Sequence, residues 1–145
     1  MSTQMLIGAL LRVPAHAIHR RLIQGLNAAG FTELRLAHIP VLQYPGPDGQ
    51  RPTALAERAG MSKQAMNQLL RSLEDAGYLA RSGSTEKGEG RNRIVRFTER
   101  GHAAYAKIHE ILREIEQEWS RELGPKDFDQ LKTLLLRVWN SPLVR

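Results

Sequence analysis

The stretch from Thr53 to Leu79 constrains the fold more than any other part of the chain. It holds two short amphipathic segments, about Thr53–Ala59 and Ser62–Ala76, separated by Gly60-Met61 and ended by Gly77. Apolar residues recur in both at helical steps. Ala56 is small where the two helices of such a motif must approach closely, Gly60 suits a turn that needs positive φ, and Ser62 suits the cap of the second helix. In that second helix Ala65, Met66, Leu69, Leu70, Leu73 and Ala76 form one apolar arc. Lys63, Gln64, Asn67, Gln68 and Arg71 occupy the other face, with no carboxylate before Glu74.

The flanking sequence is also mostly helical in period. From Leu6 to Ala29 the residues Leu6, Ile7, Leu10, Leu11, Ile18, Leu22, Ile23 and Leu26 repeat at steps of three and four. Pro14 predicts a kink, or a short helix followed by a longer one, and Ala29-Gly30 a C-cap. Thr32 is expected to cap a helix from Glu33 to about Gln43, bent at Pro40, with Tyr44 to Pro52 a loop. Tyr78–Ser82 and Arg93–Thr98 read as two strands joined by a glycine-rich, charged tip over residues 83–92. Thr98 caps a long helix to about Leu123, Gly124-Pro125 breaks it, and a last helix carries Phe128, Leu131, Leu134, Leu135 and Val138 on one side. The expected fold class is mainly α with a small β-hairpin wing, a winged helix-turn-helix within a single domain over 1–145. Residues 31–101 are expected to form its winged helix-turn-helix lobe, and 1–30 and 102–145 amphipathic helices whose apolar stripes need each other or a second subunit. A homodimer is expected.

The formal charge of +6 is unevenly spread. Residues 51–101 hold ten basic and six acidic side chains, residues 1–50 four and two, and residues 102–145 seven of each. A basic middle beside a neutral end is the electrostatic pattern of a nucleic-acid-binding module with a separate structural part. No cysteine is present, so neither a disulfide framework nor a thiol switch nor cysteine-ligated zinc enters. No apolar run approaches the roughly 20 residues that span a bilayer, and no basic residue precedes the apolar Met5–Leu11 stretch, so the expected location is cytoplasmic. His16 with His19, and His102 with His109, share helical faces but lack a completing ligand set, and read as surface or interface histidines. Glu110, Glu114 and Glu118 read as a solvated stripe opposite Ile108, Ile111, Leu112, Ile115 and Trp119. With no phosphate-binding loop, nucleophile set or metal cluster, neither an enzyme nor a cofactor is expected.

An exposed face of amides and cations suits duplex DNA, because Asn and Gln pair bidentately with adenine and Lys and Arg with guanine or phosphate. The rival class, a winged helix that docks on protein, should present an apolar or acidic face there. Double-stranded RNA suits a helix poorly, since its deep major groove is too narrow.

Residues 53–101 resemble the multiple-antibiotic-resistance regulator (MarR) family, and the layout of the outer helices extends the resemblance over nearly the whole chain. Leu55 to Met66 is similar to a common form of that family's helix-turn-helix, and Phe97-Thr98-Glu99-Arg100-Gly101 to its Leu-Thr-x-x-Gly after the wing. Glu89-Gly90-Arg91 stands where the family's wing tip usually has Asp-x-Arg. The resemblance implies a transcription regulator, more often a repressor, that binds a pseudo-palindromic operator as a homodimer with half-sites about 34 Å apart. Ser62, Lys63, Gln64, Asn67, Gln68 and Arg71 would face the major groove, Arg91 the minor groove, and Lys87 and Arg93 phosphate. It also implies a small aromatic or anionic effector near the dimer helices. His16, Arg20, His38 and Trp119 are its candidate contacts, with ordinary packing and surface roles as the alternative.

Overall fold

The computed structural model describes residues 4–43, 46–82 and 94–144. The chain divides into two compact units, Met1–His109 and Glu110–Arg145. Its helices are α1 (Ile7–Ala28), α2 (Ile39–Leu42), α3 (Pro52–Ala59), α4 (Lys63–Asp75), α5 (Glu99–Leu123) and α6 (Pro125–Trp139), with strands β1 (Leu79–Ser82) and β2 (Ile94–Phe97) between α4 and α5. The winged helix-turn-helix order expected from the sequence is therefore present.

In the first unit, α1 is one continuous helix through Pro14, so of the two expected forms the short helix followed by a longer one is excluded. It ends in a Schellman motif: Phe31 N–H donates to the Leu26 carbonyl at 2.9 Å and Gly30 N–H to Asn27 at 3.1 Å, with Gly30 at φ 95°. The helix expected over Glu33–Gln43 is much shorter. Thr32 and Glu33 form a turn, Leu36–His38 a 3-10 turn, and α2 is a single turn. Pro40 explains the difference. With no N–H to give, it fits the first turn of a helix, so it starts α2 where a bend was expected.

The core of this unit collects Leu22, Leu26, Leu34, Ile39, Leu42, Leu55, Met66, Leu70, Leu73, Tyr78, Val95, Ala104 and Ile108, all nearly or fully buried. β1 and β2 pair antiparallel in the register Leu79↔Phe97 to Ser82↔Ile94. The loop before α3 adds to this sheet. Gly49 N–H donates to the Val95 carbonyl at 2.7 Å, Val95 N–H to Gln50 at 2.8 Å, and the Asp48 carboxylate accepts from Phe97 N–H at 2.8 Å. The outer edge of β2 is thereby satisfied from a segment that reads in sequence only as a loop.

Below Phe97 the wing is bolted to the end of α4. Thr98 Oγ1 donates to the Gly77 carbonyl at 2.5 Å and accepts from Gly101 N–H at 3.0 Å, while Thr98 N–H reaches the Tyr78 carbonyl at 3.2 Å. Gly101 is required by contact, since a Cβ there would lie 2.0 Å from the Tyr78 carbonyl oxygen and 2.8 Å from the Phe97 ring.

In the second unit, Ile111, Ile115 and Phe128 are buried, and Lys132 bridges Glu116 at 2.8 Å. Glu110, Glu114 and Glu118 are exposed, on the solvated side expected for them. Gly124, at φ 90°, turns the chain into α6, and Pro125 occupies its first turn. Leu134, Leu135, Leu136, Val138 and Trp139 stay 41–61% exposed, an unusual density of apolar surface for one helix. Within the first unit the start of α1 is equally uncovered, with Leu6, Ile7, Leu10, Leu11 and Val13 each at least 43% exposed. None of the helices among the described residues is long and apolar enough to cross a membrane.

Candidate nucleic-acid interface

The helix-turn-helix is built by local rules. Pro52 opens α3, Ala56 is 2% exposed, and Gly60 takes a left-handed φ of 66° that lets Met61 N–H return to the Ala56 carbonyl at 2.9 Å. Ser62 is extended and its Oγ accepts from Ala65 N–H at 3.1 Å, an N-cap of a kind worth about 1 kcal/mol. α4 closes as α1 does: Tyr78 N–H donates to Leu73 at 2.9 Å and Gly77 N–H to Glu74 at 3.0 Å, with Gly77 at φ 87°.

Between these caps the helix divides cleanly. Met66, Leu70 and Leu73 are buried, whereas Ser62, Lys63, Gln64, Gln68 and Arg71 are exposed and Asn67 is half-buried. The polar side chains follow one stripe, and from Lys63 to Arg71 they cover about 12 Å of helix axis, comparable to the width of a major groove. Glu74, the nearest carboxylate on α4, is turned to Arg81 of β1 at 2.6 Å and so is neutralised within the lobe. An open depression lined by Thr53, Ala54, Ala56, Glu57, Met61, Ser62 and Lys63 adjoins the start of the helix. Of these, only Ser62 and Lys63 are among the contacts expected from the sequence; Thr53, Ala54, Ala56 and Glu57 on α3, and Met61 in the turn, approach the start of α4 only once the turn is formed. Lys87, Arg91 and Arg93 lie outside the described residues.

The residues considered for an effector have different fates. His16 and Arg20 are exposed on α1, and Trp119 is half-buried on α5. His38 is buried in the lobe, where its Nδ1 accepts from Arg35 N–H at 3.0 Å and its Nε2 lies 3.1 Å from Ser72 Oγ on α4. Because Nδ1 is an acceptor, the neutral ring carries its proton on Nε2 and donates it to Ser72. Both nitrogens are thus committed inside the lobe, leaving no ring nitrogen for a ligand. Burial, followed by the nearby Arg35 charge, holds the His38 pKa below its ordinary value. The folded state therefore resists a proton that the unfolded chain takes up below about pH 6.5. This contribution is complete above that pH and declines as pH falls toward the depressed folded pKa. The melting temperature is expected to drop between pH 7.5 and 5.5, and His38→Asn to shrink the drop while lowering stability at pH 7.5. An equal drop in the variant contradicts the assignment to His38.

A cluster not read from the sequence joins Glu33, Tyr78 and Arg100. Tyr78 hydroxyl donates to Glu33 Oε1 at 2.5 Å and Arg100 Nη2 to the same oxygen at 2.8 Å. The Tyr78 hydrogen bond and then Arg100 hold the Glu33 carboxyl down to about 2; burial and then Glu33 push Tyr78 up to about 12. Only the Thr-x-x-Gly context of Arg100 hints at it in sequence, since its members lie 22 to 67 residues apart.

The same fold recurs in solved regulators. A family model described as MarR family matches residues 38–88. HTH-type transcriptional repressor Rv2887 of Mycobacterium tuberculosis is 36% identical over 107 residues, covering 74% of this chain and 69% of the relative. The crystal structure of Rv2887 with salicylic acid covers 95% of this chain and 99% of that one, at 26% identity and a TM-score of 0.65. The transcriptional repressor CouR bound to a 23-mer DNA duplex is 20% identical with a TM-score of 0.71, covering 96% of each chain, and shares the fold. By sequence and by architecture, the chain belongs to the MarR family of helix-turn-helix transcription regulators.

Proposed function

We propose that the protein acts in the cytoplasm, without catalysis, as a homodimeric repressor that reads a pseudo-palindromic DNA operator through α4. One observation carries the reading: the exposed stripe of α4 offers Lys63, Gln64, Gln68 and Arg71, with Asn67 beside them, while Glu74, the first carboxylate along α4 itself, is occupied by Arg81. Amides and cations at this spacing match the donor and acceptor pattern of base-pair edges and phosphates. Repression is supported by the relative's name as a repressor. In this reading Ser62 caps the helix against the backbone, residues 31–101 are the DNA-binding lobe, and Arg91 enters the minor groove from the wing at 83–92, with Lys87 and Arg93 beside phosphate.

Dimerisation is supported by the uncovered apolar residues at the start of α1 and along α6. A small aromatic or anionic effector is supported by the salicylic acid complex of Rv2887, with exposed His16 and Arg20 as candidate contacts on α1. Such a ligand releases the operator only if it binds the DNA-competent and incompetent conformations with different affinity.

Selection of bound duplexes from a random pool tests the reading. The expected product is two inverted half-sites with centres about one helical turn apart, bound with an affinity that falls steeply with salt. Gln64→Ala or Asn67→Ala is expected to relax base preference at one or two positions of each half-site, at about 1–3 kcal/mol per lost bidentate contact. A pool that returns no enriched sequence contradicts direct readout by α4.

A further inference from the structure

Arg100 stands in the first turn of α5, inside the Thr98-to-Gly101 lock of the wing base. Its Nη2 donates to the Gly30 carbonyl at 3.2 Å, to Glu33 at 2.8 Å and to the Tyr78 hydroxyl at 3.1 Å. Its guanidinium carbon lies 5.3 Å from the Phe31 ring centroid and 4.8 Å from that of Tyr78. Phe31 and Tyr78 complete the Schellman caps of α1 and α4, and their rings sit 6.1 Å apart. A single planar cation therefore grips the finished ends of two helices and belongs to the start of a third.

We propose that Arg100 is a positioning residue for operator recognition, fixing α4 relative to α1 and α5 and so setting the half-site separation that the dimer accepts. This rests on the operator-binding reading above. Two features favour positioning over simple stabilisation. The Arg100 and Glu33 side chains are 39% and 46% exposed, and ion pairs so exposed contribute little to stability. The three oxygens share the two N–H hydrogens of one terminal nitrogen, which fixes that nitrogen closely, and the guanidinium plane lies near two rings, a contact that the compact lysine ammonium does not reproduce. Glu33 and Tyr78, at about 2 and about 12, keep their protonation throughout the neutral range, so the clamp is a fixed device.

The test uses the duplex recovered from the random pool by the wild-type protein, and the same duplex with its half-sites moved one base pair closer or farther. For Arg100→Lys and Glu33→Ala, the ratio of affinities for native and altered spacing is expected to fall by about three- to tenfold. Base preference within each half-site and the melting temperature should change little. Ratios equal to wild type within twofold overturn the proposal. So does a parallel loss of affinity for every spacing together with a lowered melting temperature, which marks a structural role alone. If Arg100→Lys does not fold, Glu33→Ala, at an exposed position, decides by the same ratio. A wild-type protein that selects no duplex defeats the operator reading itself, a result distinct from either of these.

Discussion

Gly101→Ala is expected to lower the melting temperature by about 10 °C, equivalent to roughly 3 kcal/mol. Gly101 lies in the first turn of α5, where alanine's intrinsic helix preference would by itself stabilise by up to about 1 kcal/mol. Contact reverses the sign. The new methyl would stand 2.0 Å from the Tyr78 carbonyl oxygen, and that oxygen also accepts from Thr98 N–H. Relief requires moving backbone at the end of α4, so the Thr98 bonds to Gly77 and Gly101 are strained together. Gly8, near the start of α1, is the control. A Cβ there meets nothing within 4 Å, and Gly8→Ala should leave the melting temperature unchanged or slightly raised. Thermal unfolding of the two variants side by side checks both signs. A neutral Gly101→Ala would mean that the wing base does not close on α4 in this way.

Lys63→Glu is expected to weaken operator binding by about 100-fold or more while leaving the fold intact. Lys63 is the first residue of α4 and is exposed, so its replacement disturbs no packing. A carboxylate at a helix N-terminus interacts favourably with the helix dipole, which sets the expected change in melting temperature at zero or slightly positive. Against DNA the same carboxylate removes a cation and adds a repelled anion, once per subunit. Stability and binding thus move in opposite directions. Titration of the selected duplex at several salt concentrations, beside thermal unfolding, separates them. Retention of wild-type affinity would place Lys63 away from the nucleic acid.

What could be read from sequence follows the range of the interactions involved. α4 was legible nearly residue by residue because its cap Ser62, its stop Gly77 and its apolar arc lie within one short window. The order of elements and the exposed polar stripe followed from the same local signals. The segment after α1 was not legible. Thr32 and Glu33 look like a helix start, but the Glu33 carboxylate is drawn away to Tyr78 and Arg100, 45 and 67 residues distant. At Pro14 the local signal leaves a kinked helix and two successive helices open, and only the fold shows that α1 continues past it. The loop before α3 hid its pairing with β2, because the partners of Asp48, Gly49 and Gln50 lie more than 40 positions further on. For His38 the sequence leaves a ligand contact and an ordinary packing role open, and the fold shows the packing role, with both ring nitrogens taken.

Dimethyl sulfate protection of the selected duplex tests most directly whether the polar stripe of α4 faces base edges, because the reagent methylates guanine N7 in the major groove. Two protected patches of guanine N7 are expected, about 34 Å apart along the duplex, both lost with Lys63→Glu. Guanines left fully reactive under saturating protein would show that the helix stays out of the major groove and that α4 does not read base edges.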